Sequence, residues 1–529
     1  MADRSTTRFA LIFAGGTMIS RVLGLVSYTV IGAYIPRESR DIFFLAFRFP
    51  NMLRDMLGEG AVNAAFVPVF SATHEKEPEA VFRELVAACM GAMLLLFGAI
   101  TLLGVIVLSF WPALLHWLQP WTGATDVDIQ QVSDNIHLMQ WTFPYLLLIG
   151  LAVFATAPLF TLGHYGTASW SPALLNVALI ACAMLLYNRF QEPATALVVG
   201  AWIGGIAQVV VVFIELRRKT RVLWPNFRFR LPGVRHAFWL MIPVILGQSA
   251  GEINKLVDAT FAASMGEGVV SAFNYANRLI QLPLAIFGVA VSVSILPAIT
   301  RAATRGDYAD ARAILVGGLR QSFFVVLPAM LGLMVMAEPV VRLLFEMGEF
   351  TPEDTQMTSL IVVYLGLGLL SFSWVKVSVQ GFYARHETLP PVVAASVSMI
   401  LNIVLIFLLV PWLHIRGLAL ATTISYTVNF LLLYLLLHRR FGAILDFANL
   451  IGLLRLLFAG LVMGAVAWGL HAVLEQQLGH ADKLTQAINA LIPIAAAILT
   501  YFALCHLLRA PEFNDFKSIL QRRFRHRAA

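Results

Sequence analysis

Four charged side chains lie within twelve residues of an otherwise apolar stretch near the start of the chain. The stretch reads RFPNMLRDMLGEGAVNAAFVPVF, residues 48–70, and it contains Arg48, Arg54, Asp55 and Glu59. On an α-helix Arg48, Asp55 and Glu59 fall close to one face, with Arg54 about 100° from Asp55. Arginine forks bind phosphate oxygens, and the two carboxylates offset part of the positive charge. The stretch therefore suits either a cationic anion-binding cavity or an internal ion-pair cluster that tightens helix packing.

Other apolar segments carry charges as well. These residues are Arg21, Glu252, Lys255, Asp258, Arg278 and Lys376. A charge at the centre of a spanning helix costs about 2.5–3.5 kcal/mol on insertion scales, so it normally faces a wet cavity or a partner. Lys255 lies three residues from both Glu252 and Asp258 and can neutralise either, which suits a structural pair and a coupling-ion site equally. We expect the charged helices to line a cavity and the apolar ones to face lipid or pack behind them.

The composition identifies an integral membrane protein. Of its 529 residues, 59% are hydrophobic and 13% are charged, and the mean hydropathy is +0.79. A soluble domain has roughly 45–50% apolar and about 25% charged residues. Three cysteines, Cys89, Cys182 and Cys505, lie far apart in apolar runs, which favours packing over a disulfide or a metal site. The sequence has no Walker loop, metal-ligand spacing or GxSxG elbow, so we expect a transporter, not an enzyme.

Hydropathy predicts an all-α polytopic membrane protein with about fourteen transmembrane helices. The predicted spans are 9–35, 41–72, 82–112, 134–162, 168–188, 194–216, 236–264, 268–299, 312–337, 356–383, 389–411, 415–438, 448–474 and 485–508. Basic residues follow even-numbered spans, as at 217–235 and 439–440, whereas alternate loops such as 111–130 are poor in them. The positive-inside rule then predicts that both termini are cytoplasmic. Because the basic residues are scattered over loops, nucleic-acid binding is not expected.

Paired segments indicate an internal repeat. GAVNAAFVPVFSA from Gly60 resembles GVAVSVSILPAIT from Gly288, and each helix leaves through a proline into a charged loop. We predict two pseudo-symmetric six-helix lobes followed by two C-terminal helices. The predicted bounds are 1–217 for the N-lobe, 233–440 for the C-lobe, 447–509 for the last helix pair and 510–529 for a basic cytoplasmic tail. Many transporters with duplicated halves bind their substrate at the midplane, where the two halves meet.

Five segments carry a resemblance to a known family. They are TMISRVLGL (17–25), DIFFLAFRFPNMLRDMLGEGAVNAAFVPVFS (41–71), NYANRLIQLP (274–283), LPAITRA (296–302) and GFYAR (381–385). These segments resemble the MurJ/MviN family of bacterial lipid II flippases, in the polysaccharide-exporter and MATE-like superfamily. The resemblance covers essentially the whole chain. It implies two lobes around a central cationic cavity and a last helix pair that forms a groove for the undecaprenyl tail.

The resemblance also implies substrate-binding residues. Arg21, Arg54 and Arg278 match cavity arginines for the pyrophosphate and the sugar-peptide head group. Arg48 stands where the family has a basic residue, so it joins the predicted substrate-binding set.

The resemblance also implies roles in gating, charge balance and ion coupling for acidic residues. Asp41 matches an acidic position at the outer end of the second span, and Glu59 lies in the acid-Gly-Ala gate motif. Asp55 is expected to balance charge beside them. In the seventh span Asp258 matches an acidic position proposed for sodium in some members. Its possible companions for ion coupling are Asn402 and Thr422.

Two places depart from the family pattern. Many members have an Arg-Asp pair shortly after RVLGF in the first span, where this chain has Ser27 and Tyr28. One phosphate-binding cation and its partner are thereby lost, so head-group recognition is redistributed or altered. Ile406, one turn after Asn402, stands where sodium-binding members can have an Asp, which weakens the sodium prediction.

Together these features predict a flippase of the bacterial inner membrane. It would move the undecaprenyl-pyrophosphate-linked peptidoglycan precursor lipid II from the inner to the outer leaflet by alternating access. The alternatives are a flippase for another polyprenyl-linked glycan, a non-transporting cell-wall scaffold, and a MATE-like drug antiporter, whose cationic substrates suit an arginine-rich cavity poorly. Expected partners are the lipid precursor, membrane lipids and cell-wall synthesis proteins, with the chain a monomer. No cofactor or metal is expected beyond coupling to Na⁺, H⁺ or membrane potential.

Overall fold

A computed structural model gives the fold, which is helical and has no strand in the part that it describes. The structure describes residues 2–122, 136–222, 224–385, 387–442, 447–480, 482–513 and 517. Within these ranges only the backbone is described for residues 2–14, 17, 58–60, 114–122, 289–290 and 447–449. The predicted basic tail at 510–529 lies outside this part from residue 514 onward, apart from Lys517.

The chain divides into two compact units, and the first comprises Met1–Ser271 and Met347–Phe350. Its helices are α1 (Ala2–Tyr34), α2 (Arg37–Leu53), the π-helical segment π1 (Arg54–Val62), α3 (Asn63–Lys76), α4 (Glu79–Thr122), α5 (Pro144–Thr161), α6 (Gly166–Trp170), α7 (Pro172–Leu186), α8 (Ala194–Thr220) and α9 (Pro232–Ala263). Helix α9 packs on α2, π1 and α3. The core of this unit is apolar and aromatic, with Phe66, Phe70 and Phe154 in edge-to-face or tilted contacts.

The second unit comprises Ala272–Glu346 and Thr351–Ala529. Helix α10 (Val269–Pro283) starts in the first unit and continues into this one. The elements that follow are π2 (Leu284–Val289), α11 (Ala290–Thr304), α12 (Tyr308–Val335), α13 (Ala337–Phe345), α14 (Pro352–Gly366), α15 (Leu369–Tyr383), α16 (Leu389–Leu413), α17 (Ile415–Phe441), α18 (Phe447–Leu478) and α19 (Lys483–Leu507). Two apolar clusters form its core, one around α11, α12 and α17 and one where α18 and α19 pack on α12.

The chain is a multi-pass membrane protein. Ten helices of the described residues are long and apolar enough to cross a membrane, or eleven if α14 and α15, bent by 43°, form one span. All of them coincide with predicted spans. Three of the fourteen predicted spans are not among the helices that are long and apolar enough to cross a membrane. Two of the three, 41–72 and 236–264, contain several charged residues, which lower their hydropathy. The third predicted span, 9–35, corresponds to the apolar helix Met18–Tyr34, which is too short to meet the length criterion. The count of fourteen therefore stays a prediction.

Both members of the sequence repeat contain a π-helical segment. Gly60 lies inside π1 and Gly288 inside π2, and these are the two glycines that the repeat aligns. A proline comes shortly before each segment, Pro50 in α2 and Pro283 at the end of α10. Proline has no backbone N–H and disrupts the regular hydrogen-bond ladder of a helix. Because π segments are rare and frequently mark functional sites, π1 and π2 direct attention to these two helices.

Proline also leaves a backbone carbonyl without its usual donor inside α12. Pro328 cannot donate to the Phe324 carbonyl, and the Tyr501 hydroxyl of α19 donates to that oxygen at 2.7 Å. The tyrosine is 2% exposed, so no solvent competes for this bond. Since hydrocarbon offers no hydrogen bonds, backbone groups must be satisfied within the protein. The bond therefore fastens the last helix pair to α12 at the point where α12 is irregular.

A similar arrangement occurs at Pro50 in the first unit. The buried Thr142 hydroxyl lies 3.0 Å from the Ala46 carbonyl, which Pro50 cannot serve, and 2.7 Å from the Met139 carbonyl. A side chain from the segment before α5 thus supports α2 at Ala46, eight residues before π1 begins.

We expect Tyr501→Phe to lower the free energy of unfolding by about 1–3 kcal/mol, because the buried Phe324 carbonyl loses its donor while the ring packing remains. Thermal unfolding of the purified chain in detergent measures this change. Tyr434→Phe is the matched control, since Tyr434 is partly buried and contacts Phe430 through its ring. Equal melting temperatures for the wild type and Tyr501→Phe would contradict the assignment.

Candidate functional site

Arg54 and Asp55 form an ion pair at the start of π1. The Arg54 Nη2 lies 2.6 Å and its Nε 3.0 Å from the Asp55 Oδ1. Both side chains are partly exposed, by 21% and 28%. The carboxylate holds the guanidinium in one orientation and offsets its charge, and the predicted gating or charge-balance role of Asp55 stays a prediction.

The π-helical geometry alters the predicted face of this segment. The predicted face rests on α-helical spacing from Arg48 to Glu59, but the chain is π-helical over Arg54–Val62. A π turn closes i→i+5 hydrogen bonds, so each residue turns through a smaller angle than in an α-helix. The helical phase after Arg54 therefore differs from that of an α-helix, and the common face of Arg48, Asp55 and Glu59 stays a prediction. The backbone of Glu59 lies in π1, and its side chain is outside the described part.

Arg48 is the clearest candidate for binding an anion. It lies in α2 before π1, and its side chain is partly buried with the Nε atom fully buried. Among the described residues this Nε has no hydrogen-bond partner, and no ion pair involves Arg48. A buried cation is costly unless it is paired, so this position favours an external anionic partner.

Asp41 caps the N-terminal end of α10. Its carboxylate accepts hydrogen bonds from the Gly268 N–H at 2.5 Å, from the Ser271 N–H at 2.7 Å, and from the Ser271 hydroxyl. Anions are stabilised at helix N-termini, where backbone N–H groups are unpaired. Gly268 has φ +85°, and a Cβ there would meet the Arg37 side chain. Glycine therefore permits the turn that presents these N–H groups to Asp41.

The segment Met347–Phe350 contacts the end of α1 and the start of α2 in the first unit. The Glu349 N–H donates to the Ala33 carbonyl at 3.1 Å. The Phe350 ring is buried and lies 5.1 Å from the guanidinium carbon of Arg40, which is also fully buried. Arg40 precedes Asp41, so the aromatic ring helps to fix the start of α2.

Helix α9 contains the second intramembrane charge cluster. Lys255 Nζ lies 2.5 Å from Glu252 Oε1, and the lysine side chain is 43% exposed while that of Glu252 is 12% exposed. Of the two carboxylates that the spacing offers to Lys255, this contact is with Glu252. Asp258 lies further along α9 and is partly exposed.

The other two residues predicted for ion coupling lie in the second unit. Asn402 is fully buried in α16, with its Oδ1 3.4 Å from the Ser425 hydroxyl. The Thr422 hydroxyl donates to the Leu418 carbonyl of its own helix at 3.3 Å. The Asn402–Ser425 contact helps join α16 to α17, whereas the Thr422 bond stays within α17, and the ion-coupling role stays a prediction.

The four predicted substrate arginines are divided between the units. Arg21, Arg48 and Arg54 lie in the first unit and Arg278 in the second. Arg21 follows Ser20, whose carbonyl accepts a hydrogen bond from the Asn176 amide of α7 at 3.2 Å. This contact positions the part of α1 that carries the arginine. Arg278 is partly exposed in α10, shortly before π2.

Ser27 and Tyr28 contribute to packing in the first unit. Ser27 is buried, and the Tyr28 ring stacks on Phe44 with ring centroids 5.2 Å apart. Tyr28 thus joins α1 to α2 through an aromatic contact.

Sequence reasoning missed the partners of Asp41. Gly268 and Ser271 lie 227 and 230 residues further along the chain. Neither residue has a pattern that marks it as a carboxylate ligand. The only available signal was the predicted start of a helix near Gly268, since helix N-termini attract carboxylates.

The charged, π-interrupted helices belong to a multi-pass membrane protein whose fold is similar to that of solved MATE-like structures. One solved structure, the inward-facing conformation of a multidrug resistance MATE family transporter of the MOP superfamily, matches with a TM-score of 0.66 and 13% identity, over 82% of this chain and 98% of that one. Another, lipid II flippase MurJ in an inward closed conformation, matches with a TM-score of 0.73 and 22% identity, over 94% and 99%.

The chain belongs to the family described as lipid II flippase MurJ, whose family model matches residues 37–486. A relative from Vibrio cholerae serotype O1, named probable lipid II flippase MurJ, is 34% identical over 516 residues, which cover 96% of this chain and 97% of the relative.

We expect the Asp41 carboxylate and the Ser271 hydroxyl to be energetically coupled. A double-mutant cycle of Asp41→Asn and Ser271→Ala should give a coupling of about 0.5–3 kcal/mol in the free energy of unfolding, because each change removes one side of the same hydrogen bond. Urea unfolding in detergent measures it. Ser249→Ala is the control, since that hydroxyl donates to Leu246 of its own helix. Strictly additive effects of Asp41→Asn and Ser271→Ala would refute the coupling.

Proposed function

We propose that this chain is a lipid II flippase that moves the undecaprenyl-pyrophosphate-linked peptidoglycan precursor from the inner to the outer leaflet. Family membership over residues 37–486 supports this function. The near-complete mutual coverage with the Vibrio cholerae relative supports it as well. Head-group transfer across hydrocarbon needs a polar path with fixed cations, because a pyrophosphate is costly to desolvate.

The main structural support for this function is the pair of arginines at π1, Arg48 just before it and Arg54 at its start. The buried Arg48 Nε has no hydrogen-bond partner among the described residues, and Arg54 is held in one orientation by Asp55. Planar guanidinium groups bind phosphate oxygens through two parallel hydrogen bonds. Arg48 and Arg54 would bind the pyrophosphate, with Arg21 and Arg278 completing the set while the polyprenyl tail stays in lipid.

Alternating access would expose the arginine cluster to each side of the membrane in turn. The Asp41 contact to Ser271 and Gly268 would act as a gate contact that must break when its side opens. Membrane potential would help to return the cationic site after release, with Asp258, Asn402 and Thr422 as the candidate residues for ion coupling.

The cellular setting follows from the same proposal. The chain would reside in the bacterial inner membrane with both termini cytoplasmic, because basic loops follow the even-numbered predicted spans. It would act as a monomer on membrane lipids, beside the proteins of cell-wall synthesis.

A second candidate is a flippase for another polyprenyl-linked glycan. The observation that favours it is the packing role of Ser27 and Tyr28, where many family members carry an Arg-Asp pair. Loss of that cation would change which head group is recognised while leaving the pyrophosphate site intact. Transfer assays with purified lipids that share the polyprenyl pyrophosphate but differ in glycan separate the two candidates.

We expect Arg54→Ala and Arg278→Ala each to reduce lipid II transfer by about 10- to 100-fold, because each removes charge-assisted hydrogen bonds to phosphate. The measurement is growth rescue and leaflet transfer in a host depleted of its own lipid II flippase. Arg218→Ala, an exposed change in the last turn of α8, is the control and should behave as wild type.

Rescue that survives both substitutions would overturn the arginine site. Failure of the correctly inserted wild-type chain would instead favour the other-glycan function or the scaffold role.

A further inference from the structure

Lys376 is an intramembrane cation that the proposed pyrophosphate site does not use. It lies midway along α15, whose sequence LLSFSWVKVSVQGFY contains no other charged residue. A charge at the centre of a spanning helix costs about 2.5–3.5 kcal/mol on insertion scales, and a lysine inside a span almost always faces a bundle interior or a water-filled cavity. The Lys376 side chain is exposed, although α15 packs against α11, α12, α17 and π2.

The two side chains of α15 that are exposed, Lys376 and Tyr383, are both polar. Gln380 and Tyr383 follow Lys376 by four and seven residues, so the three side chains share one helical face. Tyr383 is 46% exposed and Gln380 is partly exposed. A helix with a lipid-facing surface looks different: in α16 the exposed side chains include Ile400 and Phe407, both apolar. The polar face of α15 therefore suits a water-lined path.

Hydrogen bonds fix the backbone beneath Lys376. The Lys376 carbonyl accepts from the Ser292 hydroxyl of α11 at 3.0 Å and from the Gln380 amide at 3.3 Å. The same Gln380 amide lies 2.9 Å from the Ser292 hydroxyl oxygen. One turn earlier, the hydroxyls of Ser373 and Ser322 are 2.7 Å apart and join α15 to α12. A functional side chain is most effective when its supporting shell is preorganised in this way.

We propose that Lys376 binds a carboxylate of the head-group peptide, on a water-lined path formed by Lys376, Gln380 and Tyr383. This inference rests on the proposed lipid II function, because the precursor carries a peptide beside its pyrophosphate. An ammonium group is a compact point charge with three donors, which suits a single carboxylate, whereas the planar arginine fork suits phosphate. The second unit thus contributes a cation for the peptide portion of the cargo.

The first test asks whether the face of α15 meets water. Cys89, Cys182 and Cys505 are buried and are first replaced by alanine. Lys376→Cys and, as a second probe of the same face, Tyr383→Cys are then treated in membranes with a charged thiosulfonate reagent. Both should react at least about tenfold faster than Ile400→Cys, because the reactive thiolate forms in water and not in hydrocarbon. Equally slow reaction at all three positions would overturn the water-lined path.

The second test measures transfer by the purified full chain in liposomes. The cargo is lipid II with its peptide carboxylates either free or amidated. With free carboxylates, Lys376→Met should reduce transfer at least about tenfold, because it removes a charge-assisted contact. Lys376→Arg should retain most of the transfer, and Lys219→Met, which removes an exposed lysine in the last turn of α8, should match the wild type.

Comparing the free and the amidated peptide carboxylates identifies the group that Lys376 binds. It should lower wild-type transfer to the level of Lys376→Met and leave Lys376→Met itself unchanged, because both changes remove the same contact. Wild-type transfer by Lys376→Met, or an equal loss on amidation in both proteins, would overturn the carboxylate assignment. If the wild-type chain transfers neither form, the lipid II function fails and the carboxylate assignment fails with it. The labelling rates then still decide whether Lys376 faces water.

Discussion

Hydrocarbon offers neither hydrogen bonds to a peptide group nor hydration to a charge, and the rest of this structure depends on that constraint. Regular helices meet it along most of the chain. Where Pro328 interrupts the helical ladder of α12, the Tyr501 hydroxyl of α19 supplies the missing donor at the Phe324 carbonyl, and the Thr142 hydroxyl lies beside the carbonyl that Pro50 cannot serve. Such bonds join helices at their irregular points, so the irregularities become fixed parts of the fold.

The same constraint explains where charge is found. Charged side chains inside the predicted spans concentrate in α2, π1 and α9, and several of them lie in polar contacts: Arg54 with Asp55, Lys255 with Glu252, and Asp41 with the first turn of α10. Arg48 differs in having a buried Nε without a hydrogen-bond partner among the described residues, and Lys376 is an exposed cation inside the predicted span 356–383. A transporter of an anionic head group needs cations of this kind, held by the protein but available to the cargo.

Much of the fold could be predicted from the sequence because hydropathy acts locally. The predicted spans from 82–112 to 485–508 could be recognised as apolar runs and coincide with apolar helices of the structure. The exception is 236–264, whose charges lower its hydropathy. The repeat around Gly60 and Gly288 was also legible, and both glycines lie in π segments. The π geometry itself was not predictable, because an α-helix and a π-helix accept the same residues. The expected common face of Arg48, Asp55 and Glu59 was based on α-helical spacing and therefore stays a prediction.

By itself the sequence determined that the protein is helical and crosses the membrane many times, and it marked which helices carry charge into the bilayer. Composition and the length of apolar runs suffice for that, because transfer into hydrocarbon depends on each segment separately. Only the tertiary structure decided which partner each charge meets: Ser271 for Asp41, Glu252 for Lys255, and Phe44 for the ring of Tyr28. Such pairings depend on distances of a few ångströms between residues that can lie more than two hundred positions apart, as Asp41 and Ser271 do. No local pattern in a chain encodes those distances.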